Sequence, residues 1–91
     1  MLPVAWNVEA LDQLDNILGY IEERNPPAAL RIRRMVDAAT ERIAALPRLY
    51  RPGRVPATRE AVVHPNYILV YRVEPERVVI VAVLHTRQQY P

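Results

Sequence analysis

Seven consecutive apolar residues, Val78-Val79-Ile80-Val81-Ala82-Val83-Leu84, constrain this chain more than any other feature. Most are β-branched, which favours a strand over a helix. A strand with one face in water alternates apolar and polar side chains, and this one does not. Both of its faces therefore need cover.

The N-terminal half supplies one cover. In Val8 to Arg24, Leu11, Leu14, Leu18 and Ile21 recur at helical spacing and Ile17 widens the stripe. Asn7 stands where an N-cap belongs. Ala28 to Leu46 aligns Met35, Val36, Ala39, Ile43 and Leu46 on one side, with Arg31, Arg34, Glu41 and Arg42 on the other. Pro26 and Pro27 divide the two stretches, and so short a link predicts an antiparallel hairpin. A short strand at Pro3 to Trp6 precedes the helices.

Beyond the prolines Pro47, Pro52 and Pro56 the period changes. Arg59 to His64, Tyr67 to Val73 and Arg77 to Leu84 read as strands, separated by the turns His64-Pro65-Asn66 and Glu74-Pro75-Glu76. The expected fold class is α+β. An N-terminal strand and an antiparallel helical hairpin pack on one face of a small antiparallel sheet, in the order β-α-α-β-β-β. Residues 1–91 are read as a single domain. Two helices cover only one face of that sheet. The other is closed either by a partner's apolar residues or by Trp6, the long loop and the C-terminal tail.

Composition narrows the function. A hydrophobic fraction of 51% suffices for a core and argues against disorder. No run is long enough to span a membrane and the acidic start (Glu9, Asp12, Asp15) is no secretion signal, so a cytoplasmic protein with no membrane contact is expected. Without cysteine there are no disulfides, thiolate metal sites or thiol nucleophiles. Two histidines alone, His64 and His85, give little for a metal, and no cofactor is expected. Residues 1–47 hold five Arg and seven Asp/Glu (net −2), and residues 48–91 hold seven Arg and three Glu (net +4). The basic half suits an anionic partner. The absence of lysine is explained more simply by genomic base composition than by function.

Two groups in that half could carry chemistry. Arg59 and Glu60, adjacent on a strand, point to opposite faces. One could meet a phosphate while the other pairs with a loop arginine; alternatively they are a solvated edge pair. His85, Arg87 and Tyr90 could divide the roles of base, phosphate-binding cation and acid in metal-free RNA cleavage. The alternative is a polar strand end, with Arg87 pairing with Glu60. Tyr67 and Tyr71 share a face, and such rings are more often core residues than stacking platforms.

The succession Gly-Arg-x-Pro-x-Thr-Arg-Glu (Gly53 to Glu60), His-Pro-Asn-Tyr-Ile-Leu-Val-Tyr-Arg-Val (His64 to Val73) and the apolar strand ending in His85, Arg87 and Tyr90 resembles the RelE/ParE superfamily of bacterial type II toxin–antitoxin toxins. The resemblance covers nearly the whole chain. It implies a growth-inhibiting toxin, neutralised by a cognate antitoxin. RelE-like members cleave messenger RNA on the ribosome, whereas ParE-like members bind and poison DNA gyrase. In the RNA-cleaving branch an arginine commonly follows the first tyrosine of the second meander strand and contacts the scissile phosphate. That position is Ile68 here, which cannot stabilise phosphorane charge, so the ParE-like branch is favoured. Arg54, Arg59, Tyr71, His85 and Arg87 are then the candidates for target contact, and Val79, Val81 and Val83 those for antitoxin contact. The alternatives are an endoribonuclease using His85, Arg87, Arg59, Glu60 and Tyr90, and a non-toxic binding module.

Overall fold

The computed structural model describes residues 1–91. Its elements are β1 (Val4–Trp6), α1 (Val8–Arg24), α2 (Pro26–Ala45), β2 (Arg51–Pro52), β3 (Arg59–His64), β4 (Tyr67–Val73) and β5 (Val78–His85). One five-stranded sheet has the order β1-β5-β4-β3-β2. The β3-β4-β5 meander is antiparallel as expected, while β1 joins β5 in parallel, Val4 opposite Val78 and Trp6 opposite Ile80. β5 thus has a strand on either side. No helix is long and apolar enough to cross a membrane.

The hairpin link is shorter than the proline pair suggested. Asn25 alone separates the helices, and Pro26 and Pro27 open α2 rather than precede it. Proline suits this place, because the first turn has no intrahelical partner for its N–H groups. The Asn25 side-chain oxygen accepts from the Ala28 N–H at 3.2 Å and caps α2. Asn7 occupies the α1 N-cap but makes no side-chain cap bond; its own N–H donates to the Ile80 carbonyl at 2.9 Å, tying β1 to β5.

Both helices lie on one face of the sheet, α1 across β5 and α2 beside β3. The core between the layers joins Ala10, Leu14, Leu18, Ile32, Val36, Ala39 and Ile43 to Ala61, Leu69, Tyr71, Val78, Ile80 and Val83. The stripe on α1 starts at Ala10 rather than Leu11, which is 43% exposed. Met35 and Leu46 likewise turn outward, and Ala29 and Ile32 take the α2 contact. Close approach of helix to sheet favours the small residue over leucine at the tightest points.

A bulge in β5 settles which face each valine takes. Val70 pairs with Ala82 but Tyr71 pairs with Ile80, so Val81 has no partner. The alternation reverses there. Ile80 and Val83 face the helices, while Val81, Ala82 and Leu84 face outward with Ile68 and Val70. This outer cluster is buried by the chain itself, and Tyr90 of the C-terminal tail packs against it. Of the two covers considered for the second face, the tail accounts for this part. Trp6 lies on the helix side instead.

Gly19 in the middle of α1 has open space around it: a Cβ there would meet nothing within 4 Å. Gly19→Ala should therefore raise stability by about 0.5–1 kcal/mol through lower backbone entropy in the unfolded chain. A thermal melt reads this as an increase in Tm, and a decrease would mean that α1 does not hold this geometry.

Candidate functional site

Arg51, Arg54 and Glu60 meet at the corner where the β2–β3 connection approaches the C-terminal tail. Gly53 N–H donates to the Thr58 carbonyl at 2.7 Å, and Thr58 Oγ1 donates to the Val55 carbonyl at 2.6 Å, closing a compact turn. A Cβ on Gly53 would collide with Thr58 Oγ1, so close approach favours glycine here. Ala57 holds a positive φ of 66°, a strained setting for a residue with a side chain.

Arg54 of this turn and Arg51 of β2 both reach Glu60, which is buried on the outward side of β3. Glu60 Oε2 accepts from the Arg54 backbone N–H at 2.9 Å and from Arg54 Nε at 3.1 Å, and Oε1 accepts from Arg51 Nη2 at 3.4 Å. Burial alone would push this carboxyl up. The Arg54 amide and guanidinium together with the Arg51 charge outweigh it and hold Glu60 below its ordinary value of 4.5. It is an ionised acceptor with its lone pairs engaged, poorly suited to serve as a free base. The expected pairing of Glu60 with a loop arginine is thus present, but Arg87 is not that partner.

Arg54 continues outward. Its guanidinium carbon lies 5.5 Å from the centre of the Tyr90 ring, so the tail is fastened by a cation–π contact. A depression of about 350 Å³ opens between Arg51, Pro52, Arg54, Glu60, Ile68 and Thr86. Ile68 is 4% exposed and forms the apolar edge of this depression, within the outer cluster.

His85, at the end of β5, stands beside Tyr67, which in turn stands beside His64, with ring centres 5.7 and 5.5 Å apart. Each histidine Nδ1 is an acceptor within its own turn: the Asn66 N–H donates to His64 at 3.0 Å and the Arg87 N–H to His85 at 3.1 Å. Thr86 N–H donates to the Asn66 carbonyl at 2.8 Å and joins the two turns. With Nδ1 engaged by the Arg87 amide, Nε2 is the ring nitrogen of His85 left without a partner in the chain. The Arg87 side chain is exposed and makes no ion pair. His85, Arg87 and Tyr90 therefore lie on one short segment without converging on a common point through hydrogen bonds.

Two other candidates do structural duty. Tyr71 is completely buried, its hydroxyl donates to the Pro47 carbonyl at 2.6 Å, and its ring meets Tyr50 edge-on at 6.3 Å. It is a core residue and cannot reach a target from this position, because the face of β4 it shares with Leu69 lies under the helices. Arg59 turns to the same side and its Nη1 donates to the carbonyls of Tyr50 at 2.6 Å and Arg48 at 3.2 Å, bracing the chain before β2. Among the valines, Val79 and Val83 are buried and Val81 is half-buried; Val83 lies under the helical hairpin because of the bulge. They form no common exposed strip. No group of histidine, aspartate and glutamate side chains is arranged for a metal ion.

Arg51 and Thr86 enter the corner without having been singled out in the sequence. The signal for Arg51 is hairpin register, since it stands directly opposite Glu60. A two-residue strand ending in proline is too short to announce that register.

A five-stranded sheet under a helical hairpin, with an Arg-Glu corner at the β2–β3 turn, can be compared with known proteins. A family model for the ParE toxin of the type II toxin–antitoxin system parDE matches residues 4–90. The chain belongs to the ParE toxin family. It is thus a toxin component of a type II toxin–antitoxin system. It is 39% identical over 89 residues to Y4kP of Sinorhizobium fredii, a candidate toxin, covering 97% of this chain and 92% of that relative. A chain of the chromosomal ParDE toxin–antitoxin system of P. aeruginosa shares the fold with a TM-score of 0.81 at 19% identity, over 93% of this chain and 96% of that one. The YoeB/ParE toxin of Agrobacterium tumefaciens follows at 0.67 and 10% identity, over 98% and 100% of the two chains. The family match spans the Gly53–Glu60 motif and every element of the fold. The arrangement of Glu60 between two arginines is this chain's own geometry.

Proposed function

We propose that this ParE-family toxin inhibits bacterial growth by binding and poisoning DNA gyrase rather than by cutting RNA, and that a cognate antitoxin neutralises it. One observation carries this reading. The outward face of β4, where RNA-cleaving relatives place an arginine against the scissile phosphate, holds Ile68 inside an apolar cluster. The groups around it support the same conclusion. Glu60 is engaged by Arg51 and Arg54, and His85 Nδ1 is engaged by the Arg87 amide. A stoichiometric inhibitor needs only complementary surface. Arg54 against the Tyr90 ring, with Arg51 on the other oxygen of Glu60, places cations beside an aromatic ring, the kind of corner that anchors protein interfaces. The antitoxin partner is consistent with the family's pairing and with the ParDE neighbour.

Purified toxin added to gyrase and circular DNA tests the proposal. Loss of supercoiling with accumulation of cleaved DNA is the expected result. Gyrase that works normally, together with ribosome-bound messenger RNA that is cut, would overturn it in favour of the endonuclease reading.

Ile68→Arg provides a second check. Restoring the missing cation should leave cleavage of ribosome-bound messenger RNA at background, because no free base faces it. Cleavage appearing in this variant and vanishing on His85→Ala would mean that the RNA-cleaving machinery persists around a single lost residue.

A further inference from the structure

Arg59 is a half-buried cation without a counter-ion. Its Nη1 is spent on the carbonyls of Tyr50 and Arg48, while Nε and Nη2 donate to nothing in the chain. No buried side-chain nitrogen of the fold lacks a partner, so these two donors open to solvent. Neither Arg59 nor Arg48 belongs to an ion pair. Arginines withdrawn from water are ordinarily paired. The acids on the same strands are committed elsewhere. Glu60 points to the other face of β3 and holds Arg51 and Arg54, and Glu74 spends its carboxylate on Arg72 and Arg77.

The two free arginines line one depression. It opens to about 320 Å³ between Arg48, Pro52, Ala57, Thr58, Arg59 and Val73, with no acidic residue in its wall. Arg59 and Val73 belong to the helix side of the sheet, so the depression lies on the opposite face from Ile68 and Glu60. The main chain adds a donor. Ala57 carries the positive φ, and its N–H is bonded to no group in the chain. Backbone strain of this kind concentrates where ligands are held.

We propose that this depression binds a phosphate dianion, free or as the phosphomonoester of a small molecule. The Arg59 fork of Nε and Nη2 takes two oxygens of one anion, and Arg48 and the Ala57 amide take the third. A carboxylate has only two oxygens and would leave donors idle. Pro52 and Val73 give the organic part of a phosphomonoester an apolar wall, and the volume is at the lower end of small-ligand pockets, roughly 300–1,000 Å³. The site is separate from the Arg51–Arg54–Tyr90 corner, so it stands whether or not the gyrase reading does.

Inorganic phosphate, adenosine monophosphate, adenosine and acetate are each titrated into isotope-labelled full-length protein at constant ionic strength. The pH is about 7.5, above the second phosphate pKa of about 6. NMR follows the Ala57 amide and the Arg59 Nε–H. Phosphate and the nucleotide should shift both signals saturably, and adenosine and acetate should leave them in place. A nucleotide affinity at least about tenfold above that of phosphate identifies a phosphorylated small molecule as the ligand, and equal affinities identify free phosphate. Arg48→Gln, at an exposed position, should weaken phosphate binding about tenfold without changing Tm. Arg59→Lys keeps a donor for the Tyr50 carbonyl but loses the fork, and should weaken it by about as much. Adenosine or acetate reproducing the phosphate shifts would overturn the proposal. So would the absence of a saturable shift with phosphate and nucleotide, or undiminished binding in both variants.

Discussion

Tyr71→Ala is expected to remove a large part of the protein's stability. Tyr71 is the largest side chain that the fold buries completely, and it touches both the helix-facing core and the loop carbonyl of Pro47. Truncating a buried aromatic ring costs about 3–5 kcal/mol, against a total of roughly 5–15 kcal/mol for a domain. Tyr71→Phe keeps the ring and removes the donor, so the Pro47 carbonyl loses its partner at a cost of about 1–3 kcal/mol. Urea midpoints of the two variants separate these contributions. The hydroxyl also gives stability an alkaline limit. Burial raises the Tyr71 pKa from 10.0 to about 12, against an opposing effect of the Arg59 charge. The neutral phenol is the form the fold prefers. Its contribution is therefore complete below pH 10 and is lost as the pH rises towards 12. Wild-type protein should weaken steeply across that window, and Tyr71→Phe should show a flatter decline. Parallel declines would mean that another group sets the limit.

Glu60→Ala is expected to cost about 2–3 kcal/mol and to release the corner that holds the tail. Three donors converge on this carboxylate, one of them the Arg54 amide within the tight turn, and removing it leaves two guanidinium groups facing each other. Arg54 then loses the anchor that directs it under Tyr90. Glu60→Gln preserves shape without charge and should fall between wild type and alanine. The same carboxylate makes an acid-side prediction. Its folded pKa is depressed, so its contribution is present above 4.5 and fades as the pH falls through and below that value. Hydrogen exchange should report faster opening of the Gln88 amide, which donates to the His85 carbonyl, in the alanine variant. An unchanged tail and an unchanged urea midpoint would contradict the role given to this residue.

Hydrophobic period carried the fold in the sequence. The unbroken run Val78–Leu84 required cover on both faces of its strand, and the stripes of α1 and α2 required a one-sided hairpin; both are present. What the period could not convey is geometry one residue wide. The bulge at Val81 reverses the faces of the residues after it, so Val79 and Val83 could not be assigned a common side from alternation. Pro26 and Pro27 read as a break because proline ends helices, yet the same lack of an N–H suits them to start one. Leu11 seemed the better core residue than Ala10 by hydrophobicity, but the spacing between α1 and β5 decides in favour of the smaller side chain.

The site was legible by residue type and illegible by partner. Glu60 and a loop arginine were a reasonable pair from the motif, but that the loop supplies two arginines depends on a two-residue strand with no sequence signature. Tyr71 and Arg59 brace the connection from α2 to β2, through the carbonyls of Pro47, Arg48 and Tyr50. A motif marks positions that matter without distinguishing support from contact.

Pulse labelling of DNA and protein synthesis in bacteria just after the chain is induced without its antitoxin tests the central claim most directly. DNA synthesis failing first, with cells growing into filaments, is the result expected of a toxin that acts on gyrase. Protein synthesis failing first would contradict it and return His85, Arg87 and Tyr90 to the centre of the mechanism.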